Sequence, residues 1–459
     1  MSVNRRPALT GVALLMAALA HVPPQVAVPA AAQQTGVVVF ENVNVIPMDT
    51  ERVLENRTVV VRNGRIESVA AASAQIPQDA IRVDGTGRYL IPGLAEMHGH
   101  IPNMTDANAQ FVEDVLFLYV AAGATTVRGM QGNPTQAGLR SRIESGDLIG
   151  PRLILSSRPV SGNMNASQAE AIVREAKQQG LEVIKVHEGL SVEAYDAVAH
   201  AAAELDMQWG GHISDNVGLQ RALDRRQTTI DHLDNYVLAM LRDPAGGITA
   251  ANIDENRIPA LARATREAGV AVVPTMALWE VILGVHAPGT MMDRPELRYM
   301  PRQMVEGWRN NVAQRIAQTD AAQAALEAQL RLRMLGALND AGAVILLGTD
   351  APQLFSVPGF SLHRELDVMA KAGMTPFEIL RSGTTAVAEH FGWGDAGRIE
   401  PGHRADLILL DANPLLDIAN VSRTAGVMVD GRWLSAAEIQ RELDAIAARA
   451  GWVERNATL

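Results

Sequence analysis

Two histidines separated by one glycine end an apolar run near residue 100. His98 and His100 close the stretch LIPGLAEMHGH, residues 90–100, in a chain that has only 11 histidines. In an extended strand, residues two apart project from the same face, so we expect the two imidazoles to lie side by side. That placement suits two ligands of one metal ion, although a polar turn after a buried strand would also explain the pair.

Four further residues of similar chemistry lie at the ends of other short apolar segments. Lys185 lies in VIKV, His212 ends MQWGGH, His232 ends TTIDH, and Asp350 ends VILLGTD. Imidazole and carboxylate groups are common ligands of divalent cations. A single residue of this kind is usually structural, but six at equivalent places predict a joint metal site.

Lys185 has the least usual surroundings of the six. Burial penalises an ammonium group unless it is paired, and VIKV is otherwise apolar. A lysine amine that reacts with carbon dioxide becomes a carbamate, an anionic group with two oxygens that can bridge two cations. The alternative is an ordinary ion pair of Lys185 with Glu188 or Asp350.

The elements that must position these residues alternate along the middle of the chain. Short apolar strands are followed by amphipathic helices, as in SQAEAIVREAKQQG and SVEAYDAVAHAAAELD. Eight such units predict an α/β fold, a TIM-like (β/α)8 barrel over residues 90–395, with its active site at the C-terminal strand ends. The strands are expected at LIPGLAEMH, ATTVRGM, RLILSS, EVIKVH, MQWGGH, TTIDH, VAVVPT and VILLGTD.

The two chain ends have a different pattern of alternating strands and tight turns. Asn63-Gly64 and Asp430-Gly431 are strong signals for two-residue hairpins. We therefore expect residues 33–89 and 396–459 to form one small β-sandwich together, with a closing helix over residues 436–448.

One long interruption follows the seventh predicted strand. Residues 277–301 contain three prolines and the pair Met291-Met292, which indicates an irregular loop. A loop of this length is often a lid or a binding loop, and an ordinary surface loop without such a role is the alternative. A single long helix is expected after it, over residues 302–341.

Composition excludes some classes of partner. The formal net charge is −11, aromatic residues make up 4 %, and no basic block is present, which argues against binding nucleic acid. The chain has no cysteine, so stability must come from the core and bound metal rather than from disulfides.

The first residues resemble a secretory signal peptide. Arg5 and Arg6 precede an apolar stretch over residues 9–20 that is too short to span a bilayer, and small residues follow. We expect cleavage after Ala32, so that residues 1–32 are removed and the mature protein is periplasmic or secreted without a stable membrane anchor. An uncleaved anchor is the alternative, and the export route, general or twin-arginine, stays open.

The order of these motifs resembles the metal-dependent amidohydrolase superfamily. HGH after the first strand, lysine in the fourth, histidines after the fifth and sixth, and GTD after the eighth are similar to its binuclear members with a carboxylated lysine. Examples are prolidase-like dipeptidases, ochratoxin-hydrolysing amidohydrolases and, more distantly, imidazolonepropionase. The stretches over residues 362–392 and 397–414 also resemble these proteins, whereas AEMHGHIP departs from their more usual aspartate-methionine-histidine wording.

The resemblance implies a ligand set and a reaction. His98, His100 and Asp350 would hold one divalent ion, His212 and His232 the other, and carbamylated Lys185 would bridge them, with Zn²⁺ favoured. A metal-bridging hydroxide would attack an amide carbonyl, with Asp350 as general base and then acid. The expected enzyme is an exported metal-dependent hydrolase of amide bonds in a dipeptide or N-acyl amino acid.

Two further residues are candidates for substrate contact. Arg128, after the second strand, suits a substrate carboxylate, although a salt bridge to a loop acid is equally open. His187 shares a face with Lys185, and a packing role is its alternative. The competing functions are a cyclic-amide hydrolase, a lactonase, a deaminase or a non-catalytic binding protein, and the chain could form a homo-oligomer.

Overall fold

A computed structural model describes residues 36–71 and 78–452 of the chain. The predicted signal peptide, residues 1–32, lies outside these described residues. Within them, no helix is both long and apolar enough to cross a bilayer.

The strands fall into three sheets. One sheet contains strands from both chain ends, and two smaller parallel sheets lie in the middle of the sequence. The strands are β1 (Val37–Val45), β2 (Leu54–Arg62), β3 (Arg65–Ala71), β4 (Ile81–Asp84), β5 (Tyr89–Pro92), β6 (Leu94–Gly99), β7 (Ala124–Gly129), β8 (Arg152–Leu155), β9 (Val183–Val186), β10 (Gln208–Gly211), β11 (Thr229–Asp231), β12 (Ala271–Val273), β13 (Leu407–Leu410), β14 (Thr424–Val429) and β15 (Arg432–Ser435).

Helices follow most of the central strands and pack against them through their apolar faces. They are α1 (Ala109–Ala121), α2 (Gln136–Glu144), α3 (Ala166–Gln178), α4 (Val192–Glu204), α5 (Leu219–Asp224), α6 (Tyr236–Ala239), α7 (Ile258–Ala268), α8 (Met276–Ile282), α9 (Pro288–Met291), α10 (Arg302–Gln318), α11 (Ala321–Asp340), α12 (Phe360–Lys371), α13 (Pro376–Ser382), α14 (Thr385–Phe391) and α15 (Ala436–Arg449). Short 3₁₀ turns lie at Glu255–Arg257, Pro295–Tyr299 and Ile418–Ser422.

The sheet that joins the chain ends has eight strands, in the order β15-β14-β13-β5-β1-β2-β3, with β4 paired to β1. β13 from the C-terminal end pairs antiparallel with β5 from the N-terminal end, which confirms that the two ends pair. Phe40 on β1 and Trp433 on β15 meet edge to face at 5.1 Å between ring centroids, although three strands separate β1 from β15 in the sheet. The sheet therefore curls over a shared core, which gives a sandwich-like cross-section.

Both predicted hairpin turns are present. Asn63 and Gly64 connect β2 to β3 with φ values of 49° and 72°, and Asp430 and Gly431 connect β14 to β15 with φ values of 48° and 73°. Positive φ at both central residues is the requirement of a type I′ turn, which asparagine, aspartate and glycine tolerate best.

The central strands form two parallel sheets, β6-β7-β8 and β9-β10-β11-β12. Isolated parallel bridges, Ser156 with Val183 and Val160 with Val186, connect the first sheet to the second. These sheets match seven of the eight predicted strand positions. The first predicted strand, LIPGLAEMH, is divided at Gly93 into β5, which pairs with β13, and β6, which pairs with β7. Glycine is required at this point, because a Cβ at Gly93 would lie 2.1 Å from Thr125 Oγ1.

The eighth predicted strand is an extended segment, residues 344–350, whose only ladder contact is the bridge between Val272 and Ile345. Backbone hydrogen bonds still fix its position between the two sheets. The Leu346 N–H donates to Val272 O at 2.8 Å, and the Asp350 N–H donates to His98 O at 2.7 Å. The segment over residues 344–350 therefore lies between β12 and β6 and completes the ring of parallel segments, although it forms no continuous ladder with either strand.

Two predictions after the seventh strand need correction. Residues 277–301 are not an irregular loop, because α8, α9 and a 3₁₀ turn account for most of them. The predicted single helix over residues 302–341 is two helices, since Thr319 adopts an extended φ and ψ of −100° and 137°. The Asp320 side chain then accepts a hydrogen bond from the Gln323 N–H and caps the second helix.

Candidate metal centre

The structure brings the six predicted ligand residues to the same end of the parallel strands. His98 lies in β6 and Lys185 in β9, and Asp350 ends the segment over residues 344–350. The other three directly follow strands: His100 follows β6, His212 follows β10 and His232 follows β11. The six residues are His98, His100, Lys185, His212, His232 and Asp350.

Asp350 lies at the middle of the cluster. Its Oδ1 is 3.7 Å from His98 Nε2 and 3.0 Å from His100 Nε2, and its Oδ2 is 3.8 Å from His232 Nε2. One ligand atom from each of His98, His232 and Asp350 lies within 4.8 Å of the other two. Residues from three separate parts of the chain can thus reach one cation.

His212 and Lys185 complete the cluster on the other side. The His212 ring stacks on that of His232, with centroids 4.3 Å apart. Lys185 Nζ lies 3.1 Å from His98 Nε2. His212 and Lys185 therefore lie in direct contact with the group formed by His98, His232 and Asp350.

Several ligand atoms have no hydrogen-bond partner. Among the described residues, His100 Nε2, His232 Nε2 and Asp350 Oδ1 are buried and form no hydrogen bond of good geometry, although His100 Nε2 and Asp350 Oδ1 lie 3.0 Å apart. A buried polar atom without a partner costs about 1–3 kcal/mol, so three in one cluster need an explanation. Divalent cations bind these nitrogen and oxygen donors, and the residues therefore fit a metal centre.

The backbone around two ligands is unusual as well. His232 and Asp350 have φ values of 65° and 63°, in the left-handed region, as does Thr275 at 48°. Such conformations cost a non-glycine residue about 1–3 kcal/mol and often occur at functional sites. These residues are held in place by their surroundings rather than by their own preference.

The protonation states suit metal binding. Burial lowers the pKa of His98 and His232 well below the usual range, so both imidazoles are neutral and each has one nitrogen with a lone pair. Burial raises the pKa of Asp350, but His98, His100 and Lys185 outweigh it and hold the net pKa of this carboxyl below its usual range.

Lys185 is 2 % exposed, and burial lowers the pKa of its amine. No described carboxylate forms an ion pair with Lys185, so the expected alternative pairing with Glu188 or Asp350 is not observed. A neutral amine is the form that reacts with carbon dioxide. The surroundings of Lys185 are therefore compatible with a carbamate.

Three ligand imidazoles are oriented by partners that the sequence prediction did not include. In each, Nδ1 contacts an oxygen, which leaves Nε2 for the metal. The pairs are His98 with Asp231 Oδ2 at 2.7 Å, His212 with Asp234 Oδ2 at 2.8 Å, and His232 with Thr275 Oγ1 at 2.8 Å. The two aspartates flank His232 in the motif DHLD, which is the signal that could have identified them.

A buried glutamate fixes two ligand-bearing segments to each other. Glu96 Oε1 accepts hydrogen bonds from the His98 N–H and the Thr349 N–H, each at 2.9 Å, and Oε2 accepts the Thr349 hydroxyl at 2.6 Å. Burial raises the pKa of Glu96 to about 7, while these bonds oppose that rise. Glu96 thus holds the first strand beside the segment that ends in Asp350.

The structure places Arg128 inside the barrel, where it is 1 % exposed. Its Nε donates to Met97 O at 2.6 Å, and its terminal nitrogens lie 3.0 Å from Thr229 Oγ1 and 3.4 Å from Asp231 Oδ2. The expectation that Arg128 contacts the substrate is corrected accordingly. Strand alternation predicts the face of the strand from which a side chain projects, but not how deeply that side chain is buried. Arg128 supports Asp231 and, through it, His98.

His187 lies beside the cluster and is only partly buried. Its ring centroid is 4.5 Å from that of His212, and its Nδ1 accepts the Glu188 N–H at 2.8 Å. Burial lowers the pKa of His187 to about 3, so the neutral ring carries its proton on Nε2. His187 can therefore donate a hydrogen bond next to the cluster.

A cavity of about 890 Å³ is lined by Asp234, which contacts His212 Nδ1, and by neighbours of His212 and His232 in the chain, but by none of the six clustered residues themselves. The loops after β9, β10 and β11 line it, together with Trp279 from α8 and with α11. Its size is adequate for a small organic substrate.

Comparisons with known proteins agree with this geometry. The model of the amidohydrolase family matches residues 89–434. An imidazolonepropionase of Streptomyces griseus subsp. griseus is 36 % identical over 107 residues, which are 22 % of this chain and only 26 % of that relative.

Solved structures share the fold at low sequence identity. A Xaa-Pro dipeptidase with methionine bound in its active site is 19 % identical, with a TM-score of 0.67 over 87 % of this chain and 100 % of the other. The A. niger ochratoxinase is also 19 % identical, with a TM-score of 0.64 over 88 % and 96 % of the two chains.

Proposed function

This chain belongs to the amidohydrolase family and is a hydrolase of carbon–nitrogen amide bonds, and we propose that its substrate is a dipeptide or an N-acyl amino acid. The observation that carries the proposal is the convergence of six metal-capable residues at one end of the parallel strands, where the buried His232 Nε2 has no hydrogen bond among the described residues. The similarity to a Xaa-Pro dipeptidase supports a small peptide as the substrate class.

The residues divide into two ligand sets. His98, His100 and Asp350 would hold one ion and His212 and His232 the other, with a carbamate on Lys185 between them. Zinc suits the imidazole majority, and paired divalent ions supply activated water near neutral pH together with polarisation of a carbonyl group.

Asp350 would move the proton. Its low pKa keeps the carboxylate ionised near neutral pH, and both of its oxygens face imidazole nitrogens of the cluster. It can therefore accept the proton of the attacking water and pass it to the departing amide nitrogen, as general base and then general acid.

His187 would contribute a hydrogen-bond donor. The Glu188 N–H occupies Nδ1, so the proton stays on Nε2, which is available to a substrate oxygen. A donor placed at a developing negative charge is among the stronger catalytic contributions of a protein.

A cyclic amide is the second candidate substrate. The local similarity to an imidazolonepropionase favours it, although the match covers a minor part of both chains. A hydrolysis screen that includes imidazolonepropionate beside dipeptides and N-acyl amino acids separates the two substrate classes.

The proposed carbamate has a direct test, because Lys177 and Lys371 are the only other lysines in the chain. Protein equilibrated with ¹³C-bicarbonate and zinc should show one carbamate carbon signal, which Lys185→Ala removes and Lys177→Ala retains. Lys185→Ala should also lose activity and bound metal, with partial rescue by short-chain carboxylic acids. Full activity and metal content in Lys185→Ala would refute the bridging role.

Export is part of the proposal as well. The charged start and the apolar stretch over residues 9–20 support a signal peptide, with the mature protein in the periplasm or secreted. The mass of the protein recovered from the cell envelope or medium of an expressing bacterium should correspond to cleavage after Ala32.

A further inference from the structure

His232 is held by contacts from three other parts of the molecule. Its backbone N–H donates to Val273 O on β12 at 2.8 Å, and its ring Nδ1 lies 2.8 Å from Thr275 Oγ1. Its backbone carbonyl accepts a hydrogen bond at 2.6 Å from Nη1 of Arg331 on α11. These contacts together hold His232 at a φ of 65°, which a residue other than glycine adopts only when its surroundings impose it.

The carbonyl of His232 depends on the guanidinium for its hydrogen bond. β11 ends at Asp231, and Leu233 also has a positive φ, 53°, so the chain turns directly after the strand. Within residues 36–71 and 78–452, no backbone N–H donates to His232 O. Because a buried carbonyl needs a donor, Arg331 takes the place of the ladder bond that a longer strand would have provided.

Arg331 is itself fixed by its neighbours. It is 5 % exposed, and its Nε and Nη2 donate to Glu327 Oε1 at 3.1 and 2.9 Å, one turn earlier on α11. The guanidinium lies 3.4 Å from the centroid of the Trp279 ring, in a cation–π contact. A planar guanidinium has five N–H donors in a rigid fork and can make all of these contacts at once, whereas an ammonium group has no such fork.

The contact with Trp279 connects the backbone of His232 to its ring. Trp279 lies on α8, which begins directly after Thr275, the partner of the ring Nδ1. Arg331 therefore bonds the carbonyl of His232 and packs against the helix that follows the partner of its imidazole.

We propose that Arg331 is a positioning residue for the metal centre, which acts through the carbonyl of His232 to fix the left-handed backbone of this ligand. The inference rests on the proposed function, in which His232 and His212 hold one of two ions. Without the guanidinium, His232 could relax toward an ordinary backbone conformation, and its Nε2 would leave its place beside Asp350.

Arg331→Met tests the proposal, since methionine has a similar length and removes every donor. We expect the affinity for one of the two zinc ions to fall about 10–100-fold, as is usual when a residue that orients a ligand is lost, while the other ion is retained. Competition with a coloured chelator measures both affinities. Cobalt(II) in place of zinc should give a changed visible absorption spectrum, because that spectrum depends on the coordination geometry.

Two further variants separate positioning from stability. Arg449 on α15 bonds Asp114 through the same two nitrogens, Nε and Nη2. Arg449→Met should therefore lower the unfolding temperature but leave the zinc affinities and the cobalt spectrum as in the wild type. Arg331→Lys keeps the charge beside Glu327 without the planar fork, and its affinity should lie between those of the wild type and Arg331→Met.

Wild-type zinc affinities and cobalt spectrum in the folded fraction of either Arg331 variant would overturn the inference, and Arg331→Lys decides if Arg331→Met does not fold. Binding of fewer than two zinc ions by the wild type would instead contradict the proposed metal centre.

Discussion

Asp234 is the partner of His212, and asparagine is close to aspartate in size and shape, so the replacement mainly changes the charge of this contact. Asp234→Asn leaves the imidazole less well oriented and less basic. We expect metal affinity to fall about 10–100-fold, as is usual when such a partner is lost.

Competition with a coloured chelator measures this affinity directly. Asp293→Asn, at an exposed position outside the cavity lining, should match the wild type. An unchanged affinity in Asp234→Asn would show that His212 needs no orientation by a carboxylate.

His187 permits a prediction on rate rather than on metal binding. His187→Ala removes the Nε2 donor, and we expect kcat/KM to fall about 100-fold with metal content unchanged. His187→Gln places an amide N–H near the same position and should recover part of the loss. If Gln and Ala variants were equally slow, a donor role for His187 would be ruled out.

The sequence predicted the members of the cluster where the chemistry of the side chain alone leaves few candidate residues. Few side chains bind metal, so residue type and position at strand ends predicted that His98, His100 and Asp350 lie together, as the structure shows. Thr275 could not, because its contact with His232 depends on how the loop after β12 folds back. The sequence prediction placed Arg128 at the substrate, whereas it is buried in the barrel, because the depth of a side chain depends on how the strands pack together.

At the scale of elements, Glu365 connects α12 to the start of α8. Its two carboxyl oxygens accept the Met276 N–H at 2.8 Å and the Ala277 N–H at 2.6 Å. Burial raises the pKa of Glu365 from 4.5 to about 8, against those two bonds. The helix that carries Trp279 is thus held by a group that titrates near neutral pH.

The sign of the resulting pH dependence follows from the direction of this shift. Between 4.5 and about 8 the folded protein binds the Glu365 proton and the unfolded chain does not. The free energy of unfolding should therefore fall as pH rises through this window. Glu365→Gln cannot titrate, so urea unfolding across this range should show a shallower decline than in the wild type.

The same variant loses one of its two acceptors for a buried backbone N–H, and we expect it to be less stable at low pH by about 1–3 kcal/mol. Parallel pH profiles of the two proteins would indicate that Glu365 keeps an ordinary pKa.

Strand positions could be predicted because hydrophobic periodicity directly reports burial. Hydrophobic periodicity did not predict the helices that follow β12, because the prolines of residues 277–301 indicated a loop. Pro288 and Pro295 instead begin a helix and a 3₁₀ turn, in positions where proline is well tolerated. The break at Thr319 also escaped prediction, since both flanking segments are strong helix formers.

For the whole molecule, the candidate metal centre gathers residues from both parallel sheets and from the segment over residues 344–350, so the proposed ions would tie these elements together. Removal of metal should therefore destabilise the fold as well as abolish activity. Ligands present at 1,000 times Kd contribute about 4 kcal/mol, and we expect the chelated protein to unfold on the order of 5–10 °C lower. Differential scanning calorimetry before and after zinc is restored measures the shift.

Calcium at the same concentration is the control, because it prefers oxygen ligands and should not restore Tm. Identical unfolding temperatures with and without zinc would mean that the cluster is fully formed without a cation.

The sheet shared by both chain ends has a consequence for biosynthesis. β5 leads directly into the ligand strand β6, yet its antiparallel neighbour β13 begins more than 300 residues later along the chain. While the ribosome is still translating the intervening barrel, one edge of β5 has no partner and is open to pairing with other nascent chains. Completion of this edge must wait for the last tenth or so of translation, which makes the enzyme's folding yield sensitive to chaperone supply.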